Sequence, residues 1–270
     1  MDNRPIGFFD SGIGGLTSIP HIMRLLPKEN IVFYGDTART PYGSKSPETI
    51  RQFTFQIGDF LVKKGVKMIV IACNTVSATC LNDLREKYPD IPVIGVISPT
   101  AKEVAKLCNE DDKIGIIATK VTVRSKAYEK KINELNPKLT TSSKACPAFV
   151  PLIEEGIIDN EIMDLTIKYY LDDFVKKNDI NTLILGCTHY PLISDNLLRI
   201  YPNINIISSS KEVATAVKME LEKNDMLADE ICGENTFYAS DLSENFVNMI
   251  ELILGKDKEE LNIRFKNLDI

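Results

Sequence analysis

The chain has 270 residues, of which 44% are hydrophobic and 26% are charged, as in globular proteins that bury a sizeable core. Its net charge of −6 provides no basic stripe for nucleic acid, and no apolar run approaches the roughly 18 residues that a membrane helix needs. The first residues lack the pattern of a secretory signal, so we expect a cytoplasmic protein whose six cysteines stay reduced. With two histidines and widely spaced cysteines, we expect no metal site.

Short apolar runs alternate with longer amphipathic stretches along the chain, and this alternation predicts an α/β fold with parallel strands. The predicted strands cover residues 6–9, 31–34, 68–72, 93–97, 114–118, 182–185 and 204–207. The helical periodicity is clearest over residues 16–26, 49–64, 161–176 and 211–221. In open parallel sheets, ligands bind beyond the carboxyl ends of the strands, so we expect the functional residues there.

A glycine-rich turn follows the first predicted strand and reads Asp10-Ser11-Gly12-Ile13-Gly14-Gly15-Leu16. Backbone amides in such a turn suit a carboxylate or a phosphate. A dinucleotide fingerprint is disfavoured because Thr17 occupies the position of the third glycine. The remaining alternatives are a tight turn without a ligand and a purely capping role for Asp10.

A second polar segment follows the next strand and contains Tyr34-Gly35-Asp36 and Pro41-Tyr42-Gly43. Proline and glycine in the second triplet predict a rigid turn, whose backbone amides could meet a substrate carboxylate. A plain surface loop is the alternative for the same residues.

Two cysteines occupy matched positions at the ends of predicted strands. Cys73 precedes Asn74 and Thr75 where a helix should begin, a setting that favours the thiolate. Cys187 is followed two residues later by His189, whose imidazole could polarise the thiol or bind a carboxylate. If the two thiols face each other across a substrate carbon, one can remove a proton while the other delivers one. The pattern therefore predicts stereoinversion without a cofactor.

Alternatives remain for each cysteine taken separately. A lone cysteine is among the most buried residue types and is commonly inert. Cys187 with His189 also fits a Cys–His hydrolase, although that chemistry leaves Cys73 unexplained. The remaining cysteines are interpreted as structural; they are Cys80, Cys108, Cys146 and Cys232.

Taken in order, these polar segments resemble bacterial glutamate racemases of the aspartate/glutamate racemase family, from residue 6 to about residue 250. The resemblance implies two pseudo-symmetric α/β domains with mainly parallel sheets and an active site in the cleft between them. The first domain would comprise residues 1–97 and 208–270, and the second would comprise residues 98–207. It also implies a homodimer that interconverts L- and D-glutamate without a cofactor, by two bases, to supply D-glutamate for peptidoglycan synthesis.

The resemblance further implies a role for each residue at a matching motif position. Cys73 would deprotonate D-glutamate and Cys187 would deprotonate L-glutamate, each reprotonating from its own face. The substrate-binding positions correspond to Asp10, Ser11, Tyr42, Gly43, Asn74, Thr75, Thr188 and His189. Within this set, the carboxylate and the imidazole would also assist the nearby thiols. Thr119 and Glu154 match more loosely, and the sequence favours a solvated Glu154 over a partner for His189.

Two alternative functions share parts of this pattern. Aspartate racemases also have paired thiols, but they usually carry an acidic residue after Cys-Thr, where this chain has His189, so glutamate is favoured. A two-domain module that only binds glutamate would not need paired thiols. No feature of the sequence indicates a gyrase-binding role, and the acidic charge argues against direct binding of nucleic acid.

Overall fold

The computed structural model describes residues 1–268, which form ten strands and twelve α-helices. The strands are β1 (Ile6–Asp10), β2 (Ile31–Gly35), β3 (Met68–Ile71), β4 (Val93–Gly95), β5 (Lys113–Ala118), β6 (Thr140–Ala145), β7 (Thr182–Gly186), β8 (Asn205–Ser208), β9 (Thr236–Ala239) and β10 (Asn262–Phe265). The helices are α1 (Ile19–Leu25), α2 (Pro47–Lys63), α3 (Asn74–Thr79), α4 (Leu81–Lys87), α5 (Ile97–Leu107), α6 (Lys120–Ser125), α7 (Ala127–Leu135), α8 (Phe149–Glu154), α9 (Glu161–Asn178), α10 (Ser194–Ile200), α11 (Ser209–Lys223) and α12 (Glu244–Leu254).

The strands form two sheets in which every pairing is parallel. The first sheet has the order β10-β9-β2-β1-β3-β4, and the second has the order β6-β5-β7-β8. Strands β1, β2, β3 and β7 are buried at every position, as expected for parallel strands that helices cover on both faces. The predicted α/β class with parallel sheets is confirmed.

All seven predicted strands are present, with bounds that differ by one or two residues. The largest difference is at β4, where the apolar run continues into α5 and the strand ends at Gly95. Strands β6, β9 and β10 were not predicted. The sequence Thr140–Ala145 of β6 is mostly polar and half-exposed at a sheet edge, so it carries no apolar signal.

The hydrophobic core is continuous on one side of the first sheet and separate on the other. Phe8 of β1 lies in a cluster that also includes Ile116 and Leu185 of the second sheet. Its neighbour Phe9 points to the opposite face and packs in a second cluster with Ile57 of α2. This alternation follows from the two-residue period of a strand, and it places the two faces of β1 in different clusters.

The chain passes between the sheets twice within residues 1–268. The first sheet takes its strands from residues 6–95 and 236–265, and the second takes its strands from residues 113–208. Helix α5 lies in the first passage, between β4 and β5, and helix α11 lies in the second, between β8 and β9; the two helices pack against each other. The domain boundaries at residues 97/98 and 207/208 stay a prediction. Over the same residues, no helix is both long and apolar enough to span a membrane.

Candidate active site

The carboxyl ends of β1, β3 and β7 meet around one small cavity, whose volume is about 20 Å³. The residues that line it are Ser11, Thr40, Pro41, Tyr42, Gly43, Cys73, Asn74, Thr75, Thr119, Val150, Cys187, Thr188 and His189. They include nine of the ten residues predicted from the sequence, and the tenth, Asp10, is buried directly beside Ser11. The sequence analysis did not name Thr40, Pro41 or Val150 as site residues, although the first two directly precede Tyr42.

Cys73 reaches the cavity from the end of the first sheet, where β3 ends and α3 begins. Its Sγ donates a hydrogen bond to Ser11 Oγ at 3.3 Å. Burial and the carboxylate of Asp10 raise the pKa of the Cys73 thiol to about 12, although the bond to Ser11 opposes this rise. Cys73 is therefore a thiol at neutral pH, ready to deliver a proton.

Cys187 reaches the same cavity from the end of β7 in the second sheet. Its Sγ lies 3.9 Å from His189 Nδ1, and His189 Nε2 lies 3.0 Å from Glu154 Oε1. Burial alone would lower the pKa of His189, but the interactions with Cys187 and Glu154 outweigh it and raise the pKa to about 10. The imidazole is therefore protonated at neutral pH, and its positive charge attracts negative charge on the neighbouring sulfur.

The position of Glu154 corrects one expectation from the sequence. A solvated carboxylate was favoured there, but the carboxylate bonds to His189 and lies 3.4 Å from Thr40 Oγ1, a hydrogen-bond donor. Its side chain is only 23% exposed. The expectation was wrong because Glu154 ends helix α8, which packs beside the turn after Cys187, and this packing has no local signature in the sequence.

Asp10 ties together loops that belong to the two sheets. Its Oδ2 accepts a hydrogen bond from the Gly12 amide at 3.1 Å, and its Oδ1 accepts one from Thr188 Oγ1 at 3.4 Å. Burial raises the pKa of Asp10, while the charge on His189 and the backbone amides oppose the rise. The carboxylate is thus more than the helix cap that the sequence left as an alternative, because it contacts a residue of the opposite loop.

The turn that contains Tyr42 and Gly43 is held by a buried carboxylate. The Tyr42 hydroxyl donates to Asp36 Oδ2, and Asp36 also accepts from Arg39 Nε at 2.7 Å and from Ser240 Oγ at 2.8 Å. Burial and the neighbouring Asp36 raise the pKa of Tyr42, so it stays a phenol. Asp36 lies in one of the motifs noted in the sequence, but nothing local predicted that it would hold Tyr42.

Asn74 and Thr75 form the first turn of α3 and contact groups that are distant in sequence. The Asn74 side chain bonds to Tyr128 and Ser209. Thr75 Oγ1 lies 2.9 Å from the hydroxyl of Thr119, which directly precedes α6 and also lines the cavity. Hydroxyl and amide groups from both sheets are therefore concentrated around the two thiols.

Glycines allow the loops of the two sheets to approach closely. A methyl group built on Gly14 would lie 2.4 Å from Thr188 Oγ1, and one built on Gly43 would lie 2.5 Å from Thr119 Cβ. Both distances are far below van der Waals contact, so neither position can hold a larger residue without movement. The glycine-rich turn packs against the Thr188–His189 loop, and the phosphate-binding alternative gains no support from this arrangement.

Many hydrogen-bonding groups line the cavity, but they are not arranged as a set of metal ligands. Throughout the described part of the chain, no cluster of three or more His, Cys, Asp or Glu side chains could hold a metal ion. This arrangement can exchange protons. The sulfurs of Cys73 and Cys187, the protonated imidazole of His189 and the buried carboxyl of Asp10 lie around one small space.

Comparison with known proteins gives consistent similarities. The sequence profile of the family described as Asp/Glu/Hydantoin racemase matches residues 20–217. A glutamate racemase from Persephonella marina is 45% identical over 252 residues, which cover 93% of this chain and 94% of that protein. The crystal structure of glutamate racemase from Francisella tularensis subsp. tularensis SCHU S4 in complex with D-glutamate has a TM-score of 0.92 and 38% identity, covering 100% of this chain and 99% of that one. Glutamate racemase isoform RacE1 from Bacillus anthracis has a TM-score of 0.93 and 36% identity, covering 100% of both chains.

Proposed function

Because this chain belongs to the Asp/Glu/hydantoin racemase family, we propose that it is a glutamate racemase, an isomerase that interconverts L- and D-glutamate without a cofactor. The observation that carries the proposal is that Cys73 and Cys187, which come from two different sheets, line the same cavity. A single-base hydrolase would need only one of these thiols. Two thiols on opposite sides of a substrate carbon provide an acid and a base together.

The proposed reaction moves one proton off the α-carbon and another one onto it. Cys187 takes the α-proton from L-glutamate, and Cys73 gives its thiol proton to the opposite face, so that D-glutamate leaves and the two sulfurs have exchanged protonation states. Starting from D-glutamate, Cys73 is the base and Cys187 is the acid. The raised pKa of Cys73 supports a resting state in which this sulfur carries a proton, as the reaction from L-glutamate requires.

The proposed substrate-binding groups surround the thiols. Removal of the α-proton leaves negative charge on the carbon and on the adjacent carboxylate, and fixed donors aimed at that charge lower the barrier. We assign this role to the residues of the cavity that carry hydroxyl, amide or backbone N–H groups: Ser11, Tyr42, Gly43, Asn74, Thr75 and Thr188. Asp10 and His189 would assist the thiols on their respective sides.

The cavity volume adds a step to the proposal. A space of about 20 Å³ holds little more than one water molecule, and glutamate is several times larger. Substrate entry therefore requires the loops of the two sheets to separate and then to close again. Closure would exclude water, which strengthens each electrostatic interaction inside the site.

The proposal extends to the cellular role and assembly. D-glutamate made by this reaction would supply peptidoglycan synthesis, the enzyme would work in the cytoplasm, and it would form a homodimer. No partner other than glutamate and a second copy of the chain is proposed. Neither nucleic acid nor a membrane is part of the proposed function.

Incubation of each glutamate enantiomer in deuterated water, without added cofactor, tests the reaction directly. We expect racemisation, followed by circular dichroism, together with entry of deuterium at the α-carbon. Parallel incubations with L- and D-aspartate test the nearest alternative substrate. If the wild-type protein exchanges no α-proton of glutamate, the proposed function is wrong, and binding without exchange would favour the binding module.

Cysteine variants test the two-base assignment. Cys73→Ala and Cys187→Ala should each abolish racemisation, because each removes the only acid or base on one face of the substrate. Cys80→Ala is the matched control, since Cys80 is also buried but does not line the cavity, and it should keep its activity. Near-normal turnover of both enantiomers by either active-site variant would contradict the mechanism.

A further inference from the structure

Tyr128 connects the two cysteine-bearing strand ends without lining the cavity. Its hydroxyl donates to Asn74 Oδ1 at 2.6 Å, and Asn74 directly follows Cys73. Its ring packs against Gly186, which directly precedes Cys187, because a methyl group built on that glycine would lie 3.2 Å from Tyr128 Cε2. Tyr128 is only 1% exposed and is not among the described residues that line the cavity.

The direction of the hydrogen bond fixes the orientation of the Asn74 amide. Burial raises the pKa of Tyr128, so its hydroxyl keeps its single proton and acts as the donor to Oδ1. The amide nitrogen then faces the other way, where Nδ2 donates to Ser209 Oγ at 3.3 Å. An amide group has two N–H donors, so one of them remains for a ligand in the cavity.

The bond also crosses from one half of the molecule to the other. Asn74 begins α3, next to the first sheet, whereas Tyr128 belongs to α7, which lies between two strands of the second sheet in the chain. Ser209 begins α11, directly after the last strand of the second sheet. The Asn74 amide is therefore bonded to one group from the part of the chain that carries the second sheet and to another from the helix that leads back to the first.

We propose that Tyr128 is a positioning residue for racemisation: it holds the Asn74 amide so that one N–H points at the substrate carboxylate, without touching the substrate itself. This inference rests on the proposed function, because it takes glutamate as the ligand of the cavity. The predicted contribution is to binding, since the amide can contact the carboxylate both before and during proton transfer.

Tyr128→Phe tests this role because it removes only the hydroxyl and keeps the ring against Gly186. We expect kcat/KM for both glutamate enantiomers to fall about tenfold, the effect of losing one partner of a buried hydrogen bond. The loss should appear as a raised KM, with kcat within about twofold of wild type. Tyr88→Phe is the matched control, because the Tyr88 hydroxyl also donates at 2.6 Å, to Asp59, but lies outside the cavity.

A double-mutant cycle separates positioning from a structural effect. If Tyr128 acts through Asn74, then adding Tyr128→Phe to Asn74→Ala should not lower kcat/KM further. Additive losses, or a Tyr128→Phe variant that behaves like Tyr88→Phe, would overturn the inference. If Tyr128→Phe fails to fold, Ser209→Ala releases the same amide from its other side, and an unchanged KM there would overturn the inference too. Absence of racemisation by the wild-type protein would instead overturn the proposed function.

Discussion

The two cysteines of the cavity differ in the charges around them. Burial and the Asp10 carboxylate keep Cys73 in its thiol form, whereas Cys187 lies beside an imidazole that is held protonated. A two-base reaction needs this difference, since one sulfur must accept a proton while the other delivers one. The protonation of His189 therefore distinguishes the surroundings of two otherwise similar thiols, and it depends on the interactions of the ring with Cys187 and with Glu154.

Glu154→Gln should lower the pKa of His189 from about 10 towards its ordinary value of 6.5, because it removes a carboxylate 3.0 Å from Nε2. In the wild-type protein the pKa is raised on folding, so the protonated ring stabilises the fold fully below pH 6.5. This stabilisation is lost as the pH rises towards 10. The stability difference between wild type and variant should therefore be largest below about pH 6.5, shrink as the pH rises towards 10, and vanish in stronger alkali.

Imidazole NMR signals can measure this pKa directly, because the chain has only two histidines. His21 serves as an internal control: burial, Arg24 and Lys211 lower its pKa, and the substitution at Glu154 should not change it. A His189 pKa that stays near 10 in the variant would contradict the role given to Glu154.

The sequence predicted most of the side chains at the site but few of their partners. Cys73 and Cys187 could be located because each ends an apolar strand, and such a run is a local signal. The pairing of Glu154 with His189 joins residues 35 positions apart, and it depends on how α8 packs. Tyr128 gave no signal at all, since one tyrosine in a helix looks the same whether it packs in a core or orients an amide.

At the scale of elements, the strands with apolar runs were predictable, including the edge strands β4 and β8, whereas β6, β9 and β10 were not. Strands β1, β3 and β7 are apolar throughout because helices cover both faces. Edge strand β10 is half-exposed, and β6 is polar, so neither resembles a buried strand in sequence. The active-site loops follow the central strands, which is why the predictable part of the fold was also the functional part.

The turn over Tyr42–Ser44 packs closely against α6 because residue 43 is a glycine. Gly43→Ala should lower kcat/KM for glutamate by about tenfold to a hundredfold, because the added methyl would lie 2.5 Å from Thr119 Cβ and hold the cavity open. Gly58→Ala in α2 is a matched control, since its methyl would lie 2.8 Å from the Tyr88 ring, outside the cavity. It should lower the melting temperature and leave kcat/KM unchanged. Equal activity losses in the two variants would show that the effect is not local to the site.

At the scale of the whole molecule, a buried lysine joins three segments that are distant in sequence. Lys67, just before β3, donates from Nζ to the Asp2 carbonyl at 2.5 Å and to the Met226 carbonyl at 2.7 Å. It also forms an ion pair of 2.6 Å with Glu29, whose other oxygen accepts from the Ala228 amide. The ion pair therefore anchors the N-terminal segment and the segment after α11 to the base of the first sheet.

Lys67→Met should destabilise the protein by about 3 to 5 kcal/mol, because it leaves the Glu29 carboxylate buried without its countercharge. Urea denaturation measures the free energy of unfolding. The double variant Glu29→Gln/Lys67→Met should recover part of the loss, since no isolated charge remains. A single variant that loses less than about 1 kcal/mol would mean that the pair behaves like a solvent-exposed one.

The side-by-side packing of α5 and α11 has a consequence for chirality. Because the two helices that connect the sheets contact each other, we expect the proposed opening to separate the sheets on the side away from these helices. That movement is the same whichever enantiomer enters, since L- and D-glutamate have equal size and charge. We expect the two enantiomers to be distinguished only after the cavity has closed. The α-hydrogen then points either to the sulfur at the end of the first sheet or to the sulfur at the end of the second sheet. The opening therefore does not select between the two configurations of the α-carbon, and the same movement can admit substrate and release product in both directions of the reaction.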